Sequence, residues 1–268
     1  MGVSRRELRT VCSSVYQEVD IVPLREEIRE RSEKIRTSAE KQKKANEKNA
    51  RRNFCRLVAA NFVKPGVLLV DPTYEGGKEP ASFEDADRNL VNYLRRIAWA
   101  CKKKKLPAPK YVAVTEGGNQ ETGEEAKRLH HHIILYAPGL TRDEVEELWK
   151  TGRGKKAHSL GRINTRKAQP IEGNLNERAA YMLKAPKHKR RWHQSLGLKK
   201  PETKKNDNRY SARQIEQWVR DGRAFDRAFW QKKYPSWNIA EISVEYNDIE
   251  SMHYIRMRMW REKSPWGK

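Results

Sequence analysis

Arg128–Leu135, RLHHHIIL, sets three consecutive histidines at the head of an apolar, β-branched run. Such a run reads as a strand, and successive side chains of a strand point to opposite faces. His130 and His132 therefore share one face, and His131 takes the other. Two imidazoles on one face, roughly 7 Å apart at Cα by the strand rise, can bite one metal ion. An isolated pair of this kind is more often a surface accident, so its neighbours in the chain decide what it means.

A chain of 268 residues can bury a core without disulfide staples. Its three cysteines, Cys12, Cys55 and Cys101, form no CxxC, which excludes a zinc ribbon and a disulfide framework. Each falls in a helix-like segment, and the pattern fits a reducing compartment. The charged start lacks an apolar signal-like stretch, so the expected location is the cytoplasm, in association with DNA. The longest purely aliphatic run, Val67–Val70, is too short to span a bilayer. A net charge of +22 calls for a polyanionic partner, nucleic acid before membrane. Eight tryptophans and ten tyrosines among the cations favour nucleic acid, because aromatic faces stack on bases.

Three segments are expected. Residues 1–52 are polar and Lys/Arg/Glu-rich, with a thin apolar stripe of Leu24, Ile28 and Ile35; they read as a basic helical arm. Residues 53–200 read as a catalytic domain, and 201–268 as a helix and β-hairpin appendage. Within the domain, Phe54, Leu57, Val58 and Phe62 recur at helical spacing, and VLLVDPTY follows as a buried strand. Ser82 and Asp85 open the clearest helix, with Phe83, Ala86, Leu90, Tyr93, Leu94, Ile97 and Cys101 on its stripe and Lys102–Lys105 suiting its negative end. Tyr111–Thr115 is a short strand ending at Glu116. An antiparallel hairpin with the histidine strand would bring Glu116 near the first histidine. Thr141 and Glu144 open another helix, and a strand is expected around Leu160–Asn164.

Asn174–Lys184, NLNERAAYMLK, reads as a helix with Asn174 and Glu177 at its start. At about 100° per residue, Leu175, Ala179, Met182 and Leu183 gather on one stripe, while Tyr181 falls opposite, beside Glu177 and Lys184. Core packing does not explain a tyrosine there. Beyond Pro186 the chain is very basic, with Trp192 among Lys, Arg and His. Ile215, Trp218, Val219 and Phe225 suggest a helix, and Ala240–Tyr246 with Ile255–Met259 a hairpin.

Strand histidines, a neighbouring carboxylate and an off-core tyrosine suit one chemistry. A divalent metal on two imidazoles and a carboxylate polarises a phosphodiester. A tyrosine stripped of its proton, near pH 10 in the free amino acid, can attack it. The 3′ oxygen leaves, a 5′-phosphotyrosine remains, and the kept bond energy allows resealing without ATP. Lys184 could stabilise the developing charge.

These motifs resemble those of rolling-circle replication initiators of the HUH endonuclease superfamily, in particular the branch of filamentous phages and small mobile elements. LHHHIIL looks like the HUH motif, with His130 and His132 as ligands. YMLK looks like the YxxK motif, with Tyr181 as nucleophile and Lys184 as its partner. VTEGG resembles the strand whose acid often supplies a third ligand, here Glu116. NFVKPGVLLVDPTY resembles the first motif and RRWHQSLGLKKPE a tract after the nucleophile. The similarity runs in order over roughly residues 45–260. It implies an α+β HUH fold, ferredoxin-like, with an antiparallel sheet of about five strands and packed helices. It also implies Mn²⁺ or Mg²⁺ as cofactor, and single-stranded or supercoiled origin DNA as partner. Lys187, Lys189, Arg190, Arg191 and Trp192 are candidate DNA contacts. No GxxxxGK[ST] loop is present, so unwinding and synthesis fall to a host helicase and DNA polymerase.

The chain departs from the family pattern in three places. Asp71-Pro72 interrupts the first motif, the middle HUH position is His131, and the motif carries one tyrosine, so a second attack would need another protomer or a water. A relaxase or transposase would use the same chemistry. A non-catalytic nucleic-acid-binding protein with structural histidines is the rival from another class.

Overall fold

The structure, a computed structural model, describes residues 4–24, 39–117, 128–152, 154–172, 174–184, 191–247 and 251–261. In chain order its strands and α-helices are β1 (Ser4–Val11), β2 (Tyr16–Pro23), α1 (Ala39–Asn61), β3 (Leu68–Pro72), α2 (Phe83–Lys103), β4 (Lys110–Glu116) and β5 (His130–Tyr136). Then come α3 (Arg142–Glu147), β6 (Lys150–Thr151), β7 (His158–Ser159), β8 (Ile163–Lys167), α4 (Asn176–Met182) and β9 (His193–Gln194). The chain ends with β10 (Glu202–Ser211), α5 (Ala212–Arg220), α6 (Arg227–Lys233), β11 (Asn238–Asn247) and β12 (Met252–Trp260). The fold is mixed α+β with antiparallel sheets. Among the described residues, no helix is long and apolar enough to cross a membrane.

Two compact units form. One holds Lys64–Gln169 and Leu175–Lys199; the other holds Met1–Val63, Pro170–Asn174 and Lys200–Lys268. This division replaces the expected arm, domain and appendage.

The first of these units has a five-stranded sheet in the order β8-β3-β5-β4-β9, each neighbour antiparallel. One face of it, with Val70, Ala113, Ile133 and Leu135, packs with Leu90, Tyr93, Leu94, Ile97 and Cys101 of α2 and with Val145 and Trp149. Helix α2 starts where expected: the Ser82 hydroxyl accepts from the Asp85 N–H, and Lys102 and Lys103 close its last turn. Thr141 and Glu144 form a full capping box on α3. Each fully buried Leu or Ile on this face is worth about 1.5–3 kcal/mol of transfer free energy, enough to hold α2 against the sheet.

The other unit has a sheet in the order β10-β1-β2-β12-β11. Residues 4–23 are thus a hairpin inside a sheet and not a helical arm, while residues 25–38 of the expected arm lie outside the described residues. Nor is the C-terminal hairpin an appendage, since β12 pairs with β2. Polar composition concealed these strands because their charges are paired where they are buried. Arg5 meets Glu216 at 2.7 Å, and Glu7 meets Arg209 at 2.9 Å. Strand β2 is covered on both faces. Val19 and Ile21 join Trp218, Trp230 and Tyr234 on one side, while Glu18 and Asp20 pair with Arg52 and Arg56 of α1 on the other. Cys12 follows β1 and is not helical; Cys55 and Cys101 lie in α1 and α2.

Candidate metal and nucleophile site

The hairpin register of β4 and β5 pairs Val114 with His132 and Glu116 with His130. Alternation then sends Glu116, His130 and His132 to the sheet face opposite α2. The two imidazoles stand edge to face, centroids 4.8 Å apart. One donor atom from each of Glu116, His130 and His132 lies within 4.8 Å of the others. Glu116 Oε2 is 3.2 Å from His132 Nε2 and 3.7 Å from His130 Nε2.

The outer nitrogens fix which face each ring offers. His130 Nδ1 is 2.9 Å from the Arg128 carbonyl, which can only accept, so Nδ1–H is the donor there and Nε2 is turned toward Glu116. His132 Nδ1 is likewise 2.7 Å from Asp71 Oδ1. Both Nε2 atoms therefore face the same carboxylate, and the three groups together could hold a metal ion. Two imidazoles with oriented outer nitrogens plus a carboxylate are a donor set that fits a divalent ion.

His131 points to the α2 side and is fully buried. Its Nε2 lies 2.8 Å from the Tyr74 hydroxyl and its Nδ1 3.0 Å from Thr115 Oγ1. The rings of Tyr74 and Trp149 pack edge-on against it. Burial pushes its pKa down to about 3 and that of Tyr74 up to about 12. Tyr74 thus donates to a neutral His131, whose other N–H goes to Thr115. With both nitrogens engaged, His131 is a core residue and does not compete for the ion.

Helix α4 buries Ala179 and Met182, flanked by buried Leu175 and Leu183, and leaves Tyr181 50% exposed, as its stripe requires. The Tyr181 ring rests against His132, centroids 5.5 Å apart. The helix begins one residue later than the capping pattern indicates. Leu175 occupies the cap position, and the Asn174 amide donates to the Glu172 carbonyl. Lys184 is exposed just past the helix, its backbone N–H donating to the Tyr181 carbonyl at 3.0 Å. Lys187, Lys189 and Arg190 lie outside the described residues. Arg191 and Trp192 lead into β9, the strand on the far side of β4 from β5, and the Trp192 indole N–H donates to Gln194 Oε1.

Two site residues escaped the reading of the sequence. Asp71 stood out there only as an interruption of a motif, yet it orients His132. Strand alternation held the signal: Val70 pairs with Ile133, so Asp71 shares the face of His132. Burial opposes its charge, but the His132 hydrogen bond and the Arg178 guanidinium outweigh it and hold its carboxyl below the usual range. Arg178, one turn before Tyr181, sets Nη2 against Asp71 Oδ1, and its guanidinium carbon lies 5.8 Å from the Tyr181 ring centroid. Beside His130 opens a cleft of about 420 Å³ walled by Thr73–Gly76, Arg128, Leu129 and Arg162.

No family model, no curated protein and no solved structure matches this chain.

Proposed function

We propose that this protein starts rolling-circle replication as a metal-dependent, site-specific single-strand DNA endonuclease and ligase. The observation that carries the reading is Tyr181, half exposed and in ring contact with one histidine of a His-His-Glu group. A five-stranded antiparallel sheet with α2 and α3 packed on one face, and α4 reaching His132 and Asp71 on the other, supports an HUH-type, ferredoxin-like plan.

His130, His132 and Glu116 would hold Mn²⁺ or Mg²⁺, which when bound polarises the scissile phosphodiester and neutralises its charge. The phenol oxygen of Tyr181 attacks phosphorus after losing its proton to solvent, which its exposure permits. The P–O3′ bond breaks, the 3′ oxygen takes up a proton, and the 5′ phosphate stays esterified to Tyr181. Attack by a 3′ hydroxyl reverses these steps and reseals the strand. Lys184, past the end of the same helix, is the cation for the developing charge. Arg128 and Arg162 in the adjoining cleft, and the net charge of +22, suit the phosphates of origin DNA, single-stranded or supercoiled. Helicase and polymerase would come from the host, and the setting is DNA in the cytoplasm. One motif tyrosine leaves termination to a second protomer or a water.

The test is a covalent adduct. The protein is incubated with a pool of single-stranded oligonucleotides, including DNA from its own element, with Mn²⁺ or Mg²⁺, then denatured. Protein that migrates with DNA, and does so only with metal and Tyr181, supports the reading, and the trapped strand reveals the origin. Tight binding without an adduct on its own DNA moves the reading to a non-catalytic nucleic-acid-binding protein. A relaxase or transposase would give the same adduct and differ in the DNA it chooses.

A further inference from the structure

Helix α4 reaches the metal group twice, through Tyr181 and through Arg178. Arg178 Nη2 bonds Asp71 Oδ1 and stands 3.2 Å from His132 Nδ1. Both nitrogens are donors, so both N–H bonds aim at the single carboxylate oxygen between them, 2.7 Å from Nδ1. Glu116, His132, Asp71 and Arg178 thus form an unbroken polar series from the ion-binding face to the nucleophile's helix. The Arg178 side chain is largely buried at 14% exposure, and its Nε makes no hydrogen bond among the described residues, so Asp71 is what fixes its head. A lone Asp71 would add a second unbalanced negative charge behind His132. Arg178 balances that charge, with the more exposed Arg166 Nη2 farther off at 3.8 Å from Asp71 Oδ2, and only Arg178 ties Asp71 to the helix that carries Tyr181.

We infer that Arg178 is a positioning residue that couples ion binding to the placement of Tyr181. The inference rests on the assignment of Glu116, His130 and His132 as the ion group and Tyr181 as the nucleophile. A bound ion would hold the His132 ring, whose Nδ1–H fixes Asp71. Asp71 then fixes Arg178, and Arg178 fixes the turn that ends in Tyr181. If Arg178 served only to balance Asp71, helix α4 would sense the ion only through the ring contact of Tyr181 with His132.

The test uses the full chain and two readouts besides cleavage: Mn²⁺ affinity by calorimetry, and hydrogen exchange in a peptide covering residues 174–184, with an α2 peptide as folding control. In the unmodified protein Mn²⁺ slows exchange in the α4 peptide. Tyr181→Ala, which removes the ring contact with His132, keeps that protection, because the coupling runs through Arg178; its loss there with α2 unchanged overturns the coupling. Asp71→Asn weakens Mn²⁺ binding about 10- to 100-fold, as loss of a ligand's outer partner does, and loses the protection. Arg178→Gln keeps Mn²⁺ affinity within about threefold and loses the protection, since no ion ligand is touched. Arg178→Lys keeps the charge without the planar fork, carries the same test if the glutamine variant fails the folding control, and recovers part of the protection at most. Full protection in either Arg178 variant with α2 unchanged overturns the coupling. So does Mn²⁺ binding in the unmodified protein without any protection, which leaves the ion site standing. No Mn²⁺ binding at all overturns the ion assignment and the coupling with it.

Discussion

The rings of Tyr181 and His132 meet edge-on at an interplanar angle of 67°. This contact belongs to the ring carbons and not to the phenol oxygen, so the two can be separated. Tyr181→Phe keeps the ring and removes the nucleophile. The expected outcome is loss of the covalent adduct with DNA affinity within about 1 kcal/mol of the unmodified protein, because one exposed hydroxyl is worth no more than a typical hydrogen bond. Gel mobility of the denatured adduct and a filter-binding titration check the two halves. Tyr210 is a poor substitute nucleophile, being buried with its hydroxyl 3.1 Å from that of Tyr234. Cleavage that survives the change would mean that Tyr181 is not the nucleophile.

His132 is the more deeply buried of the two histidines facing Glu116 and the one with a carboxylate behind it. His132→Ala removes a nitrogen donor and leaves Glu116 facing His130 alone. Mn²⁺ affinity should fall by at least about 100-fold, beyond the range for loss of an outer partner. His131→Ala, one residue away on the other face, should leave it within about threefold where the unit stays folded. Calorimetric titration of both variants decides. Equal losses would mean that His131 reaches the ion, contrary to its bonds with Tyr74 and Thr115.

Alternation along β5 made the split between His131 and its two neighbours legible, and the hairpin expectation brought Glu116 to His130. Helical spacing made Tyr181 stand out for the same reason, since a period is a local property of the chain. What stayed hidden depends on partners far away in sequence. Strands β1 and β2 look too charged to be buried until Arg5 finds Glu216 and Glu18 finds Arg56. Strand β10, in the stretch that reads only as very basic, earns its shape by pairing with β1. Asp71 could be assigned to a face, but its register against His132 comes from the β3–β5 pairing. The approach of Tyr181 to His132 follows from no period at all; only the likeness to a motif pair hinted at it.

His131 makes this unit sensitive to acid. Its folded pKa of about 3 is below the ordinary 6.5, so the unfolded chain binds the proton more readily. Its contribution is fully present above pH 6.5 and is lost progressively as pH falls toward 3. Charge on His130, His132 or His193 adds to the penalty. Between pH 7 and 4.5 the expected loss is about 2–3 kcal/mol, at 1.36 kcal/mol per pH unit. Asp71, whose pKa is lowered, keeps its charge through this window. His131→Gln retains an acceptor and a donor but cannot titrate. Urea midpoints at pH 7 and 4.5 should therefore lie closer together in that variant. An unchanged gap would mean that the native core already accommodates a protonated His131.

In the other unit, Glu18 and Asp20 of β2 are buried against Arg52 and Arg56 of α1, with Arg56 at 2.8 and 3.1 Å. Burial opposes the charge of Glu18, but the guanidiniums of Arg56 and Arg52 outweigh it and lower its pKa. Truncating one member leaves carboxylates buried with half their counter-charge, so Arg56→Ala should destabilise the unit by roughly 3 kcal/mol in urea unfolding at pH 7. Glu18 contributes fully above its unfolded pKa, near 4.5, and less as pH falls through and below it. The cost of Arg56→Ala should accordingly be smaller at pH 3 than at pH 7, because a protonated carboxyl no longer needs the missing cation. Replacing all four residues together by Met and Leu of similar volume should cost much less than the single change, since no charge is then stranded. A quadruple variant as unstable as Arg56→Ala would mean that the directional hydrogen bonds, and not the charge balance, set the seat of α1 on the sheet.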